Sequence, residues 1–411
     1  MKAMQTGEIV NRTENRPALH TAMRDLFGSP LAPKASQMAQ EEIDKLRKFL
    51  PQLDRFTTLV QIGIGGSSLG PEAISIALTP YARKGKRVRF LTNVDPDDGA
   101  AIFKSVDLAR TVFVVVSKSG TTLETRTNEL WARQKLQEAG LVPEEQIVAV
   151  TAKGSPMDDP SRYLGAFYIW DFIGGRYSAT SMVGVVQLAF LLGIEPVIEF
   201  LRGAHEMDRL ALETDAVKNL PLLASLLGIW NRNFLAIPTV AVIPYSQLLA
   251  RFPAHLQQLD MESNGKPAAS PTGPVIWGEP GTNAQHSFFQ LLHQGSPLAA
   301  VEFIAFLENT YGDDVVEEGT SSRQKLLANL FAQALALARG APGNRGSTIL
   351  LGNKLTPQTV GSLLAYYEHK VAFQGFLWGI NSFDQPGVEL GKKLASSILK
   401  GEEPLTLYNL S

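Results

Sequence analysis

Apolar runs of strand length recur along this chain, separated by stretches of helical periodicity, and that alternation constrains the fold more than any other feature. In the first half, residues 56–64, 88–92, 112–117 and 147–151 read as strands. Residues 71–81, 97–104 and 122–139 read as the helices between or after them. The runs are continuous in Val, Ile and Phe, so both faces of each strand are expected to be buried, as in parallel sheets covered by helices. The pattern pauses in a Leu- and Ala-rich helical stretch, residues 179–235. It resumes with strands at 238–243, 299–306 and 347–351 and helices at 247–259, 284–292 and 323–338; helices at 357–378 and 388–399 close the chain. The expected class is α/β: two doubly wound parallel-sheet αβα sandwiches with a helical join and C-terminal helices.

The 411 residues suffice for two or three cores at about 100–200 residues each. The expected division is an N-terminal segment packing on the core (1–50), a first sandwich (51–195), a second (196–385) and a C-terminal helix (386–411). With 38 Lys and Arg against 40 Asp and Glu, no global attraction to nucleic acid or an anionic membrane is expected. Cysteine is absent, which removes thiolate chemistry and sulfur-ligated metal. The longest apolar stretch, residues 183–194, is interrupted by Gln187 and falls short of the ~20 residues of a spanning helix. The opening MKAMQTGEIVNRTENR lacks the apolar centre of a leader. A cytoplasmic protein is expected.

Two predicted strands end in loops suited to an anion. The first runs into Gly65, Gly66, Ser67, Ser68, Leu69 and Gly70, with Pro71 opening a helix. Glycines let the backbone approach a ligand, and a helix N-terminus offers free N–H groups. Neither the GxGxxG nor the P-loop pattern is present, so a dinucleotide or a magnesium-bound nucleotide is not implied. The second leads into Ser117, Lys118, Ser119, Gly120, Thr121 and Thr122. N-capping accounts for one or two of these hydroxyls but not for their density. Together the loops point to a phosphomonoester.

Four further segments carry reactive groups. Glu262 lies at the end of a predicted helix that also holds Gln258, and is a candidate base; a solvated helix end is the plainer reading. His286 is placed on the first turn of a helix after a Gly/Pro turn, with no second histidine or carboxylate at metal spacing. Arg176 follows Gly174 and Gly175, and either holds an anionic intermediate or pairs with Asp171. Gln385 precedes Pro386, and Lys392 lies about two helical turns further on.

With the block from Asn11 to His20 (NRTENRPALH), these segments resemble the glucose-6-phosphate isomerase family, in order and spacing, over nearly the whole chain. The resemblance implies a pair of SIS-type (sugar-isomerase) sandwiches and a cofactor-free, metal-free aldose–ketose isomerase acting on a small sugar phosphate. It implies Glu262 as the base that moves a proton between C2 and C1 through a cis-enediol. His286 and Lys392 are implied as ring-opening groups, and Arg176 as the stabiliser of the enediolate. Gly66, Ser67, Ser117, Lys118, Ser119, Thr121, Thr122 and Gly175 are implied around the phosphate, Gln258 and Gln385 against the sugar, and Glu124 as a supporting carboxylate. It further implies a homodimer in which His286 enters the partner's site. The alternatives left open are a dual phosphoglucose/phosphomannose isomerase and a non-catalytic sugar-phosphate-binding regulator.

Overall fold

Strands with large apolar side chains on both faces need cover on both, and this chain provides it twice. The computed structural model describes residues 1–340 and 344–402. Helices α1 (Lys2–Thr6) and α2 (Pro33–Phe49) precede the first sheet. That sheet holds β1 (Thr58–Ile62), β2 (Arg87–Leu91), β3 (Thr111–Ser117), β4 (Ile147–Thr151) and β5 (Gly165–Tyr168). Its order is β2-β1-β3-β4-β5, and every neighbouring pair is parallel. The crossovers run through α3 (Leu69–Ala77), α4 (Pro96–Ser105) and α5 (Leu123–Glu138).

Alternate residues choose the face. Val60, Ile62, Phe113, Val115 and Ile147 pack with Phe103 of α4 and with Ala132 and Leu136 of α5. Leu59, Val112, Val114, Val148 and Val150 join the opposite core, which includes every apolar residue of α6 (Met182–Leu192) except Gly184. Val240 and Val242 of the second sheet belong to this same core, so the two halves share one hydrophobic interior.

After α6 come α7 (Ile194–Leu210) and α8 (Leu220–Ile229), then the second sheet: β6 (Thr239–Pro244), β7 (Val275–Trp277), β8 (Ala299–Phe306) and β11 (Ser347–Gly352). Its order is β11-β8-β6-β7, again parallel throughout. Two-residue strands β9 (Val316–Glu317) and β10 (Thr320–Ser321) form a hairpin. The remaining helices are α9 (Phe252–Leu256), α10 (Phe289–Gln294), α11 (Ser322–Arg339), α12 (Pro357–Trp378) and α13 (Glu389–Leu399). The expected class is therefore the observed one. The C-terminal unit expected to reach residue 411 includes 403–411, which lie outside the described residues.

The differences are local. Strands β5 and β7 and helix α2 were not expected; the two strands are only four and three residues long, and β7 sits in a Gly/Pro-rich stretch. The helix expected at 247–259 is broken into a 3-10 turn (Gln247–Leu249), α9, and a π-helical turn (Gln257–Glu262). Pro253 near the start of α9 cannot continue a preceding helical ladder. The helix expected at 284–292 divides into a 3-10 turn (Asn283–His286) and α10, so His286 closes that turn instead of opening the helix.

A buried ion network ties the N-terminal segment down. Arg24 is fully buried and grips Asp208 of α7 through Nε–Oδ2 (2.8 Å) and Nη2–Oδ1 (2.7 Å), while Nη1 binds Glu368 of α12. Among the described residues, no helix is long and apolar enough to cross a membrane.

Candidate active site

In a doubly wound sheet, ligands meet the carboxyl ends of the strands where the order reverses. Here β1 leads to β2 on one side and lies beside β3 on the other, so the reversal falls between β1 and β3. The two predicted anion loops leave from those strand ends.

The first loop forms a 3-10 turn, Gly65–Ser67, and enters α3 at Leu69, two residues before the expected Pro71. Gly66 lies flat against Gly175: a Cβ on Gly66 would stand 2.2 Å from the Gly175 carbonyl carbon. Ser178 clasps the same place by donating its hydroxyl to Gly175 O at 2.6 Å. Gly66→Ala must push these two backbones apart. It is expected to cost about 1–3 kcal/mol of stability in denaturant unfolding, together with most activity.

In the second loop, the Ser117 and Thr122 hydroxyls meet at 3.0 Å, the Gly120 amide donates to Ser117 Oγ (3.1 Å), and Thr121 Oγ1 donates to Ser119 Oγ (2.9 Å). The capping reading is not realised: Thr122 makes no side-chain cap to α5, and Ser68 makes none to α3. Two helix N-termini at adjoining strand ends thus keep amides available for an anion. The Lys118 ammonium donates to Ile173 O at 3.0 Å; burial first, then the nearby Arg16 charge, lower its pKa.

Arg176 lies beside this mouth in the turn Gly175–Tyr177 and is almost wholly buried. Its Nε donates to Ser263 Oγ (2.6 Å), Nη2 to Ser382 O (2.6 Å) and Asp384 O (3.0 Å), and Nη1 to Gln385 Oε1 (3.1 Å). A guanidinium has five N–H donors, so one on Nη1 stays unengaged. Nη1 is also the nitrogen that stands 3.4 Å from Glu262 Oε2. The expected alternative, pairing with Asp171, does not occur. Gln258, in the same π-helical turn as Glu262, brings its amide nitrogen to the Gly65 position and keeps a buried Oε1 without a partner. A carboxylate, a cation with one spare donor, and open amide and carbonyl groups therefore converge beside an anion cradle. π-Helical turns occur disproportionately at functional sites.

A family model described as Phosphoglucose isomerase matches residues 1–342 and 339–406. The chain belongs to the phosphoglucose isomerase family. Glucose-6-phosphate isomerase of Protochlamydia amoebophila (strain UWE25) is 56% identical, covering 97% of this chain and 80% of that protein. The crystal structure of a glucose-6-phosphate isomerase from Chlamydia trachomatis D/UW-3/Cx matches 100% of this chain and 86% of its own, with TM-score 0.96 and 52% identity. Tagatose-6-phosphate ketose/aldose isomerase from Escherichia coli shares the fold at TM-score 0.55 and 14% identity, over 90% of this chain and 92% of that one.

Within this phosphoglucose isomerase fold, three expected site residues make no hydrogen bond or ion pair with Arg176 or Glu262 among the described residues. His286 is exposed and makes no side-chain hydrogen bond among the described residues. Lys392 lies on α13, two-thirds exposed, and pairs with Glu389 at 3.0 Å. Glu124, half-buried in the first turn of α5, is not joined to His286.

Several residues beside the pair were given no role by the sequence. Ser263 holds Arg176 and meets the Tyr177 hydroxyl at 3.0 Å. The Lys266 ammonium caps the π-helical turn on Glu262 O and Ser263 O (both 3.0 Å) and reaches Asn381 O (3.1 Å) and Asp384 O (2.8 Å). A lysine just past a helix end was the available signal. Ser263→Ala is expected to lower kcat about tenfold with little change in KM, because it frees the Nε side of the guanidinium. Steady-state kinetics with either sugar phosphate checks it.

His255 backs the first turn of α3: a Cβ on Gly70 would sit 3.3 Å from its ring. Burial, with neither ring nitrogen bonded, holds its pKa down to about 4. The folded state therefore resists a proton that the unfolded chain accepts near pH 6.5. Stability from this site is intact above about pH 6.5 and declines as pH falls toward about 4, by about 3 kcal/mol. Denaturant unfolding across that range is expected to show the loss, and His255→Phe to remove that share of it.

Proposed function

We infer that this chain interconverts glucose 6-phosphate and fructose 6-phosphate. The observation that carries the reading is the unengaged N–H on Arg176 Nη1, 3.4 Å from the Glu262 carboxylate. Moving a proton between two adjacent sugar carbons needs one base and one donor aimed at the oxygen that becomes negative. Glu262 takes the proton from C2 of the open-chain aldose and returns it to C1, while the hydroxyl proton shifts from O2 to O1. The cis-enediolate formed between these steps is stabilised by Arg176. Ser67, Ser117, Ser119, Thr121 and Thr122, with the backbones of Gly66 and Gly175, hold the phosphate; Lys118 contributes its amide and its field. That remote anchor supplies binding energy used for orientation at the reacting carbons. Gln258 Oε1 accepts from a sugar hydroxyl, and Gln385 holds both sugar and guanidinium.

The ring is opened by Lys392 and by His286 of a second copy, with Glu124 supporting that histidine, so the working unit is a homodimer with shared sites. Two features support this: both side chains are exposed, and α13 presents Leu390, Leu394 and Ile398 to solvent. Residues 51–195 and 196–385 act as the two sandwiches that meet at the site. The enzyme works in the cytoplasm, where charged sugar phosphates are retained.

The direct test is a coupled assay with glucose 6-phosphate, extended to mannose 6-phosphate; comparable turnover of both would replace the narrow assignment by the dual one. For the dimer, mixing inactive Glu262→Gln and His286→Ala variants is expected to restore part of the activity on subunit exchange. Full activity in a species that sizes as a monomer would defeat the shared site.

A further inference from the structure

Residues 11–16 have no part in the reaction proposed above, yet they are densely bonded to the loop that grips Arg176. The backbones of Asn11 and Arg16 pair antiparallel through two hydrogen bonds of 3.2 Å, and Asn15, at φ +49°, makes the turn. Asn11 is buried; its Oδ1 accepts from Asn381 Nδ2 (2.9 Å), and its Nδ2 donates to Phe383 O (3.3 Å). Thr13 donates its hydroxyl to Asp384 Oδ2 (2.5 Å) and accepts from Asn381 Nδ2 (2.8 Å). Residues 381–384 are thus tied to a strap about 370 residues earlier in the chain. The same residues present the Ser382 and Asp384 carbonyls to Arg176 Nη2, and the following Gln385 takes Nη1.

We propose that Asn11 and Thr13 are positioning residues for the isomerisation, fixing the 381–385 loop so that it aims the free N–H of Arg176 at the reacting oxygens. The proposal rests on the reading of Arg176 given above. Its logic is mechanical. Three of the four acceptors that orient the guanidinium belong to this loop, and the strap bonds the same loop through Asn381, Phe383 and Asp384. Thr13 is itself exposed, so losing its hydroxyl removes a tether without opening a cavity in the core.

The test compares Thr13→Val, Thr13→Ser, Arg176→Lys and the Thr13→Val/Arg176→Lys pair, with kcat and KM for fructose 6-phosphate and an unfolding curve for each. Thr13→Val is expected to lower kcat about tenfold with KM within about twofold, as for a small misplacement of a group acting in the transition state. Thr13→Ser is expected to restore kcat to within about twofold of the parent, since it keeps the hydroxyl. In the Arg176→Lys background the Thr13→Val change is expected to cost less than about twofold more, because the aimed donor is already lost. Unchanged kcat in Thr13→Val, with Arg176→Lys impaired, overturns the proposal. So does a tenfold loss of the same size in both backgrounds, which marks a general structural effect. Unimpaired turnover in Arg176→Lys is a different result: it removes the role of Arg176 and, with it, anything for the strap to aim.

Discussion

Glu262→Gln is expected to lower kcat by about 10²–10⁴-fold, the contribution of a positioned base, while KM for fructose 6-phosphate stays near its parent value. Glutamine has the same shape, so the π-helical turn Gln257–Glu262 and the Lys266 cap on its carbonyls persist. Gln258 and the hydroxyl loops, which are assigned to binding, are untouched. What disappears is the ability to accept a carbon-bound proton. Steady-state kinetics and exchange of the C2 hydrogen with solvent deuterium should fail together. Near-normal turnover in this variant would return the chain to the class of sugar-phosphate binders, for which the loops suffice.

Arg176→Ala is expected to reduce kcat by about 10²–10³-fold, comparable to removing a principal donor to a developing oxyanion. Unlike the glutamine variant, it must also weaken the fold. The Arg176 side chain is 1% exposed, and truncation strands the Ser382 and Asp384 carbonyls and the Ser263 hydroxyl. Leaving buried acceptors unbonded predicts a loss of about 2–4 kcal/mol in denaturant unfolding. The pair of variants separates chemistry from architecture: one loses turnover at constant stability, the other loses both. A stable, slow Arg176→Ala enzyme would mean that water fills the vacated donor positions.

The parallel sheets were legible because burial on both faces leaves an unmistakable run such as Val112 to Val116, and helix α12 was read at its true limits because Pro357 and Gly379 punctuate it. Strands β5 and β7 escaped because four and three residues carry too little periodicity to register, and β7 lies between Pro274 and Gly278. The anion loops were visible from hydroxyl density. The use of those hydroxyls was not: Thr122 looks like a cap in sequence but bonds to Ser117 in space, leaving the helix amides open. Residue spacing alone did not show the Arg176–Glu262 pairing, since Asp171 was the nearer carboxylate and the partner arrives 86 residues later; only the family resemblance put both in one site. Ser263 and Lys266 were hidden for a related reason. Ser263 holds a guanidinium distant in sequence, which no local pattern marks, and the helix-end position of Lys266 gave no hint of its reach to Asn381 and Asp384.

The capture of Arg176 by residues beyond 380 bears on how the chain matures during synthesis. Until Ser382, Asp384 and Gln385 have left the ribosome, the guanidinium has only Ser263 and Glu262 to meet, and its burial is not yet compensated. The first sheet can assemble early from near neighbours, whereas Arg176 is enclosed only after the segment that follows α12 arrives, a contact of very long sequence separation. Onset of turnover in a translation reaction should thus wait until residues 382–385 have emerged from the ribosome.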